Sequence, residues 1–329
     1  GCAPRLPSGQ GQHARACARK PKKLLITLRV INNKQQLLLL LPTRCYTTRY
    51  DLTAVLDAYL QAGGNFIDTA NSYLVEHGRS EIIIGRWLAA RGVRERIVIA
   101  TKVGGGRGAT RNLRAQTIKR EAHASLKRLQ IERIDLYYAH YDDPQTPLEE
   151  SLRAFDELVA EGVVAHLGAS NYSPERLREA LTTQREHGLA PFTVLQPHYN
   201  LVERDFERTL LPVAREWDLA VLPYYALASG FLTGKYRPGG AEVDSPRAPT
   251  ARAYLQGRGV EVLGALEEIA QAHRTSMAAV ALAWLLTRPQ VVAPIASARS
   301  TEQLSQVLDG AKLSLEPAEV ERLDVISAR

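Results

Sequence analysis

The feature that most constrains this chain is an alternation that starts near Leu52: short apolar runs, each ending at a polar residue, separated by stretches with helical apolar spacing. Residues 65–68, 97–102, 134–140, 163–170, 193–196, 220–225 and 291–295 read as strands, being short, apolar and bounded by Gly, Pro or polar loops. Between them, patterns such as Leu148, Leu152, Phe155, Leu158 and Val159 step by four and three, which puts one apolar face on a helix. Strand ends at 68, 102, 140, 170, 196 and 224 recur about 26 to 38 residues apart, near the ~30 residues of a βα unit. Seven such strands, with an eighth from the amino-terminal segment, predict an α/β chain wound as a single (β/α)8 TIM barrel. Ser173 followed by Pro174 marks a helix start. The connection from 225 to 291 is too long for one crossover. It holds Pro238-Gly239-Gly240 and Ser245-Pro246-Arg247 before two helical patterns at 259–273 and 276–287. A long loop after a late strand predicts a flap over a ligand.

Charge and cysteine divide the chain at about residue 50. The formal net charge is +7, yet residues 1–50 hold ten basic residues and no acidic one, leaving 32 basic against 35 acidic beyond. The excess of positive charge belongs to the segment, so nucleic-acid binding by the whole chain is not expected. Cys2, Cys17 and Cys45 also lie in that segment; the body, 51–329, has no disulfide framework and reads as an intracellular, cytoplasmic globular protein. Residues 1–50 are Arg-rich, but Ser8 is their only serine, unlike a transit peptide. Five leucines from 37 to 41 are too few to span a bilayer, so no membrane partner is expected. The apolar runs 24–31 and 37–41 flank Asn32-Asn33-Lys34 and suit a hairpin or an inner strand. Three readings stay open for 1–50: the first strand, a disordered tail, or a stretch foreign to the natural sequence.

The chemistry gathers at three successive strand ends. Asp68 closes the first strand with Tyr73 five residues on, Lys102 closes the second, and His140 closes the third. On a barrel these ends converge at one face. Such a set suits proton donation to a carbonyl oxygen: a phenol is a weak acid unless a cation lies close, Lys102 supplies one, Asp68 holds it, and His140 positions the oxygen. Other arrangements fit less well. There is no HxH or HExxH for a metal centre. Gly104-Gly105-Gly106-Arg107-Gly108 lacks GxGxxG order, and the 230–236 segment imitates a Walker A loop but is one residue short and has Tyr236 where magnesium needs Ser or Thr. A Schiff-base Lys102, as in a class I aldolase barrel, is the enzymatic rival.

These residues resemble a known family. Phe66-Ile67-Asp68-Thr69-Ala70, then Tyr73, Gly78-Arg79-Ser80-Glu81, Thr101-Lys102 and Leu136-Tyr137 before His140 look like the aldo-keto reductase superfamily, over roughly 51–329. The resemblance implies a TIM barrel that binds NADPH, with NADH as the other candidate, and reduces a small-molecule aldehyde or ketone. It implies Tyr73 as general acid, Lys102 and Asp68 as its tuning pair, and His140 as the group that orients the carbonyl. By position it also implies Ser170, Asn171 and Gln196 for the nicotinamide carboxamide and Tyr224 for stacking on the ring. Leu227, Ser229, Leu232, Lys235 and Arg247 fall in the pyrophosphate loop, and Ser297, Arg299 and Gln303 in the adenosine-phosphate segment. Arg299 suits a 2′-phosphate, because a guanidinium offers two donors. The chain departs from the family at Tyr225-Ala226, where Ser-Pro is usual, at Ser297 for Gly and at Val307 for an adenine-binding Asn; no Gly lies between Gly11 and Gly63. Tyr138, Tyr141, the loop after Lys102 and the 236–257 flap are expected to wall the substrate pocket. A nucleotide-sensing binding protein like the potassium-channel β-subunits shares the motifs and is the non-enzymatic rival. Homo-oligomerisation is left open.

Overall fold

The computed structural model describes residues 38–40, 52–73, 76–106 and 112–328. In order these form β1 (Leu38–Leu40), α1 (Leu52–Gln61), β2 (Phe66–Asp68), α2 (Arg79–Arg91), β3 (Val98–Val103), α3 (Ala115–Leu129), β4 (Ile134–Ala139), α4 (Leu148–Ala160), β5 (Val164–Ser170), α5 (Pro174–Glu186), β6 (Phe192–Gln196), α6 (Asp205–Thr209), α7 (Leu211–Glu216) and β7 (Ala220–Val221). After a 3-10 turn at Ala228–Thr233 come α8 (Ala248–Ala253), α9 (Gly259–Ala272), α10 (Met277–Leu286), β8 (Ile295–Ala296), α11 (Thr301–Lys312) and α12 (Pro317–Ser327).

The eight strands make one sheet in the order β7-β6-β5-β4-β3-β2-β1-β8, every pair parallel. Backbone bonds also join the two ends: Val292 N donates to Val221 O at 3.0 Å and Ile295 N to Pro223 O at 2.8 Å. The inner strand expected from the amino-terminal segment is β1, which pairs with β2 and β8; the 24–31 run lies outside the described residues. Two strands differ from expectation. The 220–225 run is strand only at Ala220–Val221, because Pro223 has no N–H to donate to a ladder. The 291–295 run begins its strand at Ile295, just past Pro294, with Val291 reduced to a single bridge to Val221.

The helices follow from the sequence pattern. In α3 the buried positions Ile118, Ala122, Ser125, Leu126 and Leu129 recur at three and four and make one stripe toward the sheet. By contrast α10, MAAVALAWLL, is apolar all round and has eight buried residues in sequence, Ala278 to Leu285, as a helix enclosed by others must. Ser173 caps α5 by accepting from Arg176 N at 3.1 Å, as the Ser-Pro signal requires. Gly64 enters β2 beneath Tyr59: a Cβ there would sit 2.2 Å from the Tyr59 ring, whose hydroxyl donates to Phe66 O at 3.0 Å.

Candidate active site

Register places the polar centre. Asp68 pairs with Ala100, so Lys102, two residues further on the same face, overhangs the Asp68 carboxylate. Lys102 pairs with Tyr138, and Tyr138 with Gly168. His140 continues β4, its N–H bonded to Val103 O at 2.8 Å. Asp68, Tyr73, Lys102 and His140 are thereby brought together.

Lys102 and Asp68 are both fully buried and form an ion pair through Oδ1. The Lys102 ammonium also donates to Thr69 O at 2.8 Å, and Asp68 Oδ2 accepts from Gln196 Nε2 at 3.0 Å. Burial disfavours charge on either partner, pushing Asp68 up and Lys102 down, and their contact opposes both shifts. Lys102 Nζ lies 4.8 Å from the Tyr73 ring centroid and 5.5 Å from that of Tyr138. Tyr73 meets the His140 ring edge-on at 5.8 Å, and Tyr141 stacks on His140 at 4.9 Å.

One expectation is reversed. Lys102 was to lower the Tyr73 phenol, but burial first, then the Asp68 charge, raise it well above the ordinary phenol value. Asp68 sits against the ammonium, so the cation reaches Tyr73 together with a carboxylate that opposes it. Tyr138 also differs: it is wholly buried beneath Lys102 and is floor, not an exposed wall. A Cβ on Gly168 would lie 2.5 Å from the Tyr138 ring, so Gly168 makes the room.

The loop bearing Tyr73 is held by a network the sequence did not reveal. Asn71 Nδ2 donates to Glu121 at 3.1 Å, and Asn71 O accepts from Gly78 N at 2.6 Å. The buried Glu81 takes Thr101 Oγ1 at 2.5 Å and Arg128 Nε at 2.6 Å, joining α2, α3 and β3. Glu81 stands in the Gly78-Arg79-Ser80-Glu81 motif; Arg128 and Glu121 carry no local signal. Gly105, from the glycine run, closes over the site: a Cβ there would fall 2.2 Å from His140 Nδ1 and 2.7 Å from Ser72 Oγ. Gly105→Ala is expected to displace His140 and lower kcat/KM by about ten- to a hundredfold, since ångström-scale misplacement is that costly, with the melting temperature little changed. Steady-state kinetics beside a thermal melt would check it.

The remaining candidates lie on neighbouring strand ends and loops. Ser170 Oγ donates to Gln196 O at 2.8 Å. Asn171 Nδ2 donates to His140 O at 2.8 Å and to Ser170 Oγ at 3.0 Å, and its Oδ1 accepts from Tyr224 OH at 2.8 Å. These side chains engage one another, and Gln196 engages Asp68. The 3-10 turn carries left-handed backbone at Ala228 (φ 48°), Ser229 (φ 58°) and Gly230 (φ 91°), and a Cβ on Gly230 would lie 3.1 Å from Lys235 Nζ. No helix follows Lys235 directly, so the Walker A imitation is only that. Leu232 is fully buried and Leu227 half-buried. Gln303 Oε1 accepts from Arg299 N at 3.0 Å and shapes the start of α11, where Ser297 is half-buried and Val307 buried. Burial, then the Arg299 and Arg247 charges, hold Lys235 below the usual lysine value. Lys235, Arg247 and Arg299 thus lie within electrostatic reach of one another, a set of cations that fits phosphate groups. A separate open groove of about 230 Å³, lined by Leu201, Val202, Tyr254, Arg258 and Val262 among others, contains none of these residues.

Residues 43–328 match the Aldo/keto reductase family. The chain belongs to that family. A putative aryl-alcohol dehydrogenase of Saccharomyces cerevisiae is 34% identical over 291 residues, covering 83% of this chain and 75% of its own length. An uncharacterized oxidoreductase of Bacillus subtilis is 34% identical over 272 residues, 80% of this chain and 82% of its own. Norsolorinic acid reductase B of Dothistroma septosporum is 32% identical over 280 residues, 82% of this chain and 70% of its own. Membership makes this aldo/keto reductase an oxidoreductase of carbonyl compounds, in a family of (β/α)8 barrels that uses nicotinamide cofactors. No described helix is long and apolar enough to cross a membrane.

Proposed function

We propose that the chain is a (β/α)8-barrel reductase that converts an aldehyde or ketone to an alcohol with NADPH, Tyr73 being the general acid. One observation carries the reading: Tyr73 stands at the edge of a fully buried Lys102–Asp68 pair, its ring centroid 4.8 Å from the Lys102 ammonium and its ring edge-on to His140 at 5.8 Å. Ser170, Asn171, Gln196 and Tyr224 would hold the nicotinamide, and the turn at 227–232 with Lys235, Arg247, Ser297, Arg299 and Gln303 the phosphates and adenosine. When bound, the reduced nicotinamide supplies a hydride. His140 and Tyr73 hold the carbonyl oxygen, and Tyr73 gives it a proton as charge develops there. Lys102 would favour the phenolate left behind over the neutral phenol, against the burial and the Asp68 charge that oppose it.

The Schiff-base alternative is not supported by the geometry of Lys102. Its ammonium is bonded to Asp68 and Thr69 O and has no exposure, whereas an amine nucleophile must reach a carbonyl unprotonated.

The experiment is oxidation of NADPH, then NADH, followed by absorbance with a panel of aldehydes and ketones. Turnover supports the reading; tight NADPH binding with no turnover of any carbonyl replaces it with the nucleotide-sensing role. Arg299→Ala is expected to weaken NADPH roughly ten- to a hundredfold, the scale of a charge-assisted hydrogen bond, and to leave NADH nearly unchanged. Fluorescence titration with both nucleotides measures this, and equal losses would mean that Arg299 does not meet a 2′-phosphate.

A further inference from the structure

The Tyr73 hydroxyl can act only where its loop puts it, and that loop is fastened by a helix that carries none of the polar centre. The loop leaves β2 at Asp68 and reaches α2 at Arg79. Its neck is closed by the 2.6 Å bond from Gly78 N to Asn71 O, and Tyr73, inside the closed turn, donates its own N–H to Ala70 O at 3.2 Å. Both sides of the neck then rest on α3. Glu121 Oε2 accepts from Asn71 Nδ2 at 3.1 Å on one side and meets His77 Nε2 at 3.0 Å on the other. An ionised carboxylate only accepts, so His77 Nε2 is the donor. One oxygen thus ties residue 71 to residue 77. Beside it the Arg128 side chain covers Gly78, where a Cβ would fall 2.3 Å from Arg128 Cδ.

The anchor is fixed independently of the loop, because α3 packs its buried stripe on the sheet and Glu121 borders that stripe beside Ala122 and Ser125. The bond it makes is also one that the loop needs. Asn71 is 2% exposed, and its Oδ1 has no hydrogen-bond partner among the described residues, so Glu121 is the group that satisfies this buried amide. A bond from a buried donor to a charged acceptor is worth more than an exposed ion pair. Arg120 and Arg128 flank the carboxylate at 3.2 and 3.8 Å, Arg128 being bonded to Glu81 as well. Burial pushes the Glu121 carboxyl up, but the bonds from His77, Asn71 and Arg120 outweigh it and hold the carboxyl below its usual value. Its oxygens therefore stay free of protons, and able to accept, at neutral pH.

We propose that Glu121 is a positioning residue for Tyr73: by bonding Asn71 and His77 through one oxygen it holds the neck of the loop on α3, and so sets where the Tyr73 hydroxyl stands against Lys102 and His140. The inference rests on the reading of Tyr73 as the proton donor. Glu121 acts through the loop, so removing it should cost only what the placement of Tyr73 contributes.

Stopped-flow hydride transfer in the full chain, with NADPH and the electron-poor carbonyl 4-nitrobenzaldehyde, tests this as a double-mutant cycle. Glu121→Ala is expected to slow the step by about ten- to a hundredfold and to change NADPH affinity less than about twofold. Glu121→Gln, which keeps an oxygen with two lone pairs at the same place, should recover most of that loss. In the Tyr73→Phe background, Glu121→Ala should add less than about threefold, since the group it positions is already gone. Hydrogen exchange read by mass spectrometry supplies a measure that needs no turnover: the peptide between β2 and α2 should exchange about tenfold faster in Glu121→Ala, with the other peptides and the melting temperature little changed. Unaltered hydride transfer in Glu121→Ala overturns the proposal. So do losses that multiply in full onto Tyr73→Phe, which a general loosening of the barrel would give. Glu121→Gln as slow as Glu121→Ala overturns it too, because the charge and not the bonded position would then be what acts. Faster exchange of that one peptide in a protein that reduces no carbonyl upholds the tie and sinks the reductase reading instead.

Discussion

Tyr73→Phe is expected to lower kcat for carbonyl reduction by roughly 10²- to 10⁴-fold, the usual contribution of a positioned acid, with NADPH affinity nearly unchanged. The substitution is narrow. The ring remains for the edge contact with His140 and the cation contact with Lys102, and only the hydroxyl leaves. The pH profile adds a second reading of the same group. Burial and the Asp68 charge raise the phenol, and an acid with a raised pKa stays protonated as pH increases. Reductive kcat should therefore hold level from neutrality toward pH ~10, the ordinary phenol value. A phenol lowered by Lys102 would instead lose its proton, and the reaction its acid, well before that. Stopped-flow hydride transfer across this range decides between them. A kcat that falls with an apparent pKa below the ordinary phenol value would restore the phenol lowered by Lys102, and a Tyr73→Phe enzyme with unaltered kcat would remove Tyr73 from the role.

Some of this was legible in the sequence because it is written locally. A strand that ends in a charged residue announces itself by composition: Asp68 ends its strand, His140 follows its strand directly, and Lys102 lies one residue before the strand ends at Val103. The Ser-Pro start of α5 is equally local. What escaped reading depends on partners far apart in the chain. Gln196 bonds Asp68 across 128 residues, and Glu81 meets Arg128 across 47; neither pair has a spacing rule. The direction of the Tyr73 shift escaped for another reason: the cation and the carboxylate that holds it were both inferred, but the burial of the phenol, the largest cause of its raised value, is written in no local pattern. Strand lengths near Pro223 and Pro294 were overestimated because apolar composition continued past the point where a backbone donor was missing.

Lys102→Met tests whether that buried pair is a support for folding as well as for the proton donor. Removing the ammonium leaves the Asp68 carboxylate buried with the Gln196 amide still bonded to it, and an unpaired buried charge costs about 3–5 kcal/mol. Urea unfolding should show a loss of that order near neutral pH, with carbonyl reduction falling at least as far as in Tyr73→Phe. The loss should depend on pH in one direction. Burial already raises Asp68 above its unfolded value, and without Lys102 the opposing attraction is gone, so the folded value rises further. The folded state then binds more protons than the unfolded state over the interval between the two values, and stability falls as pH rises through it. The variant should accordingly be closest to the unaltered protein near pH ~4, about the unfolded carboxyl value, and furthest from it above neutrality. Adding Asp68→Leu removes the stranded charge; the double variant should regain much of the stability and none of the activity. Were Lys102→Met as stable as the unaltered chain at every pH, the ammonium would not be the partner that keeps Asp68 charged, and the assignment of the pair as a tuned electrostatic unit would fall with it.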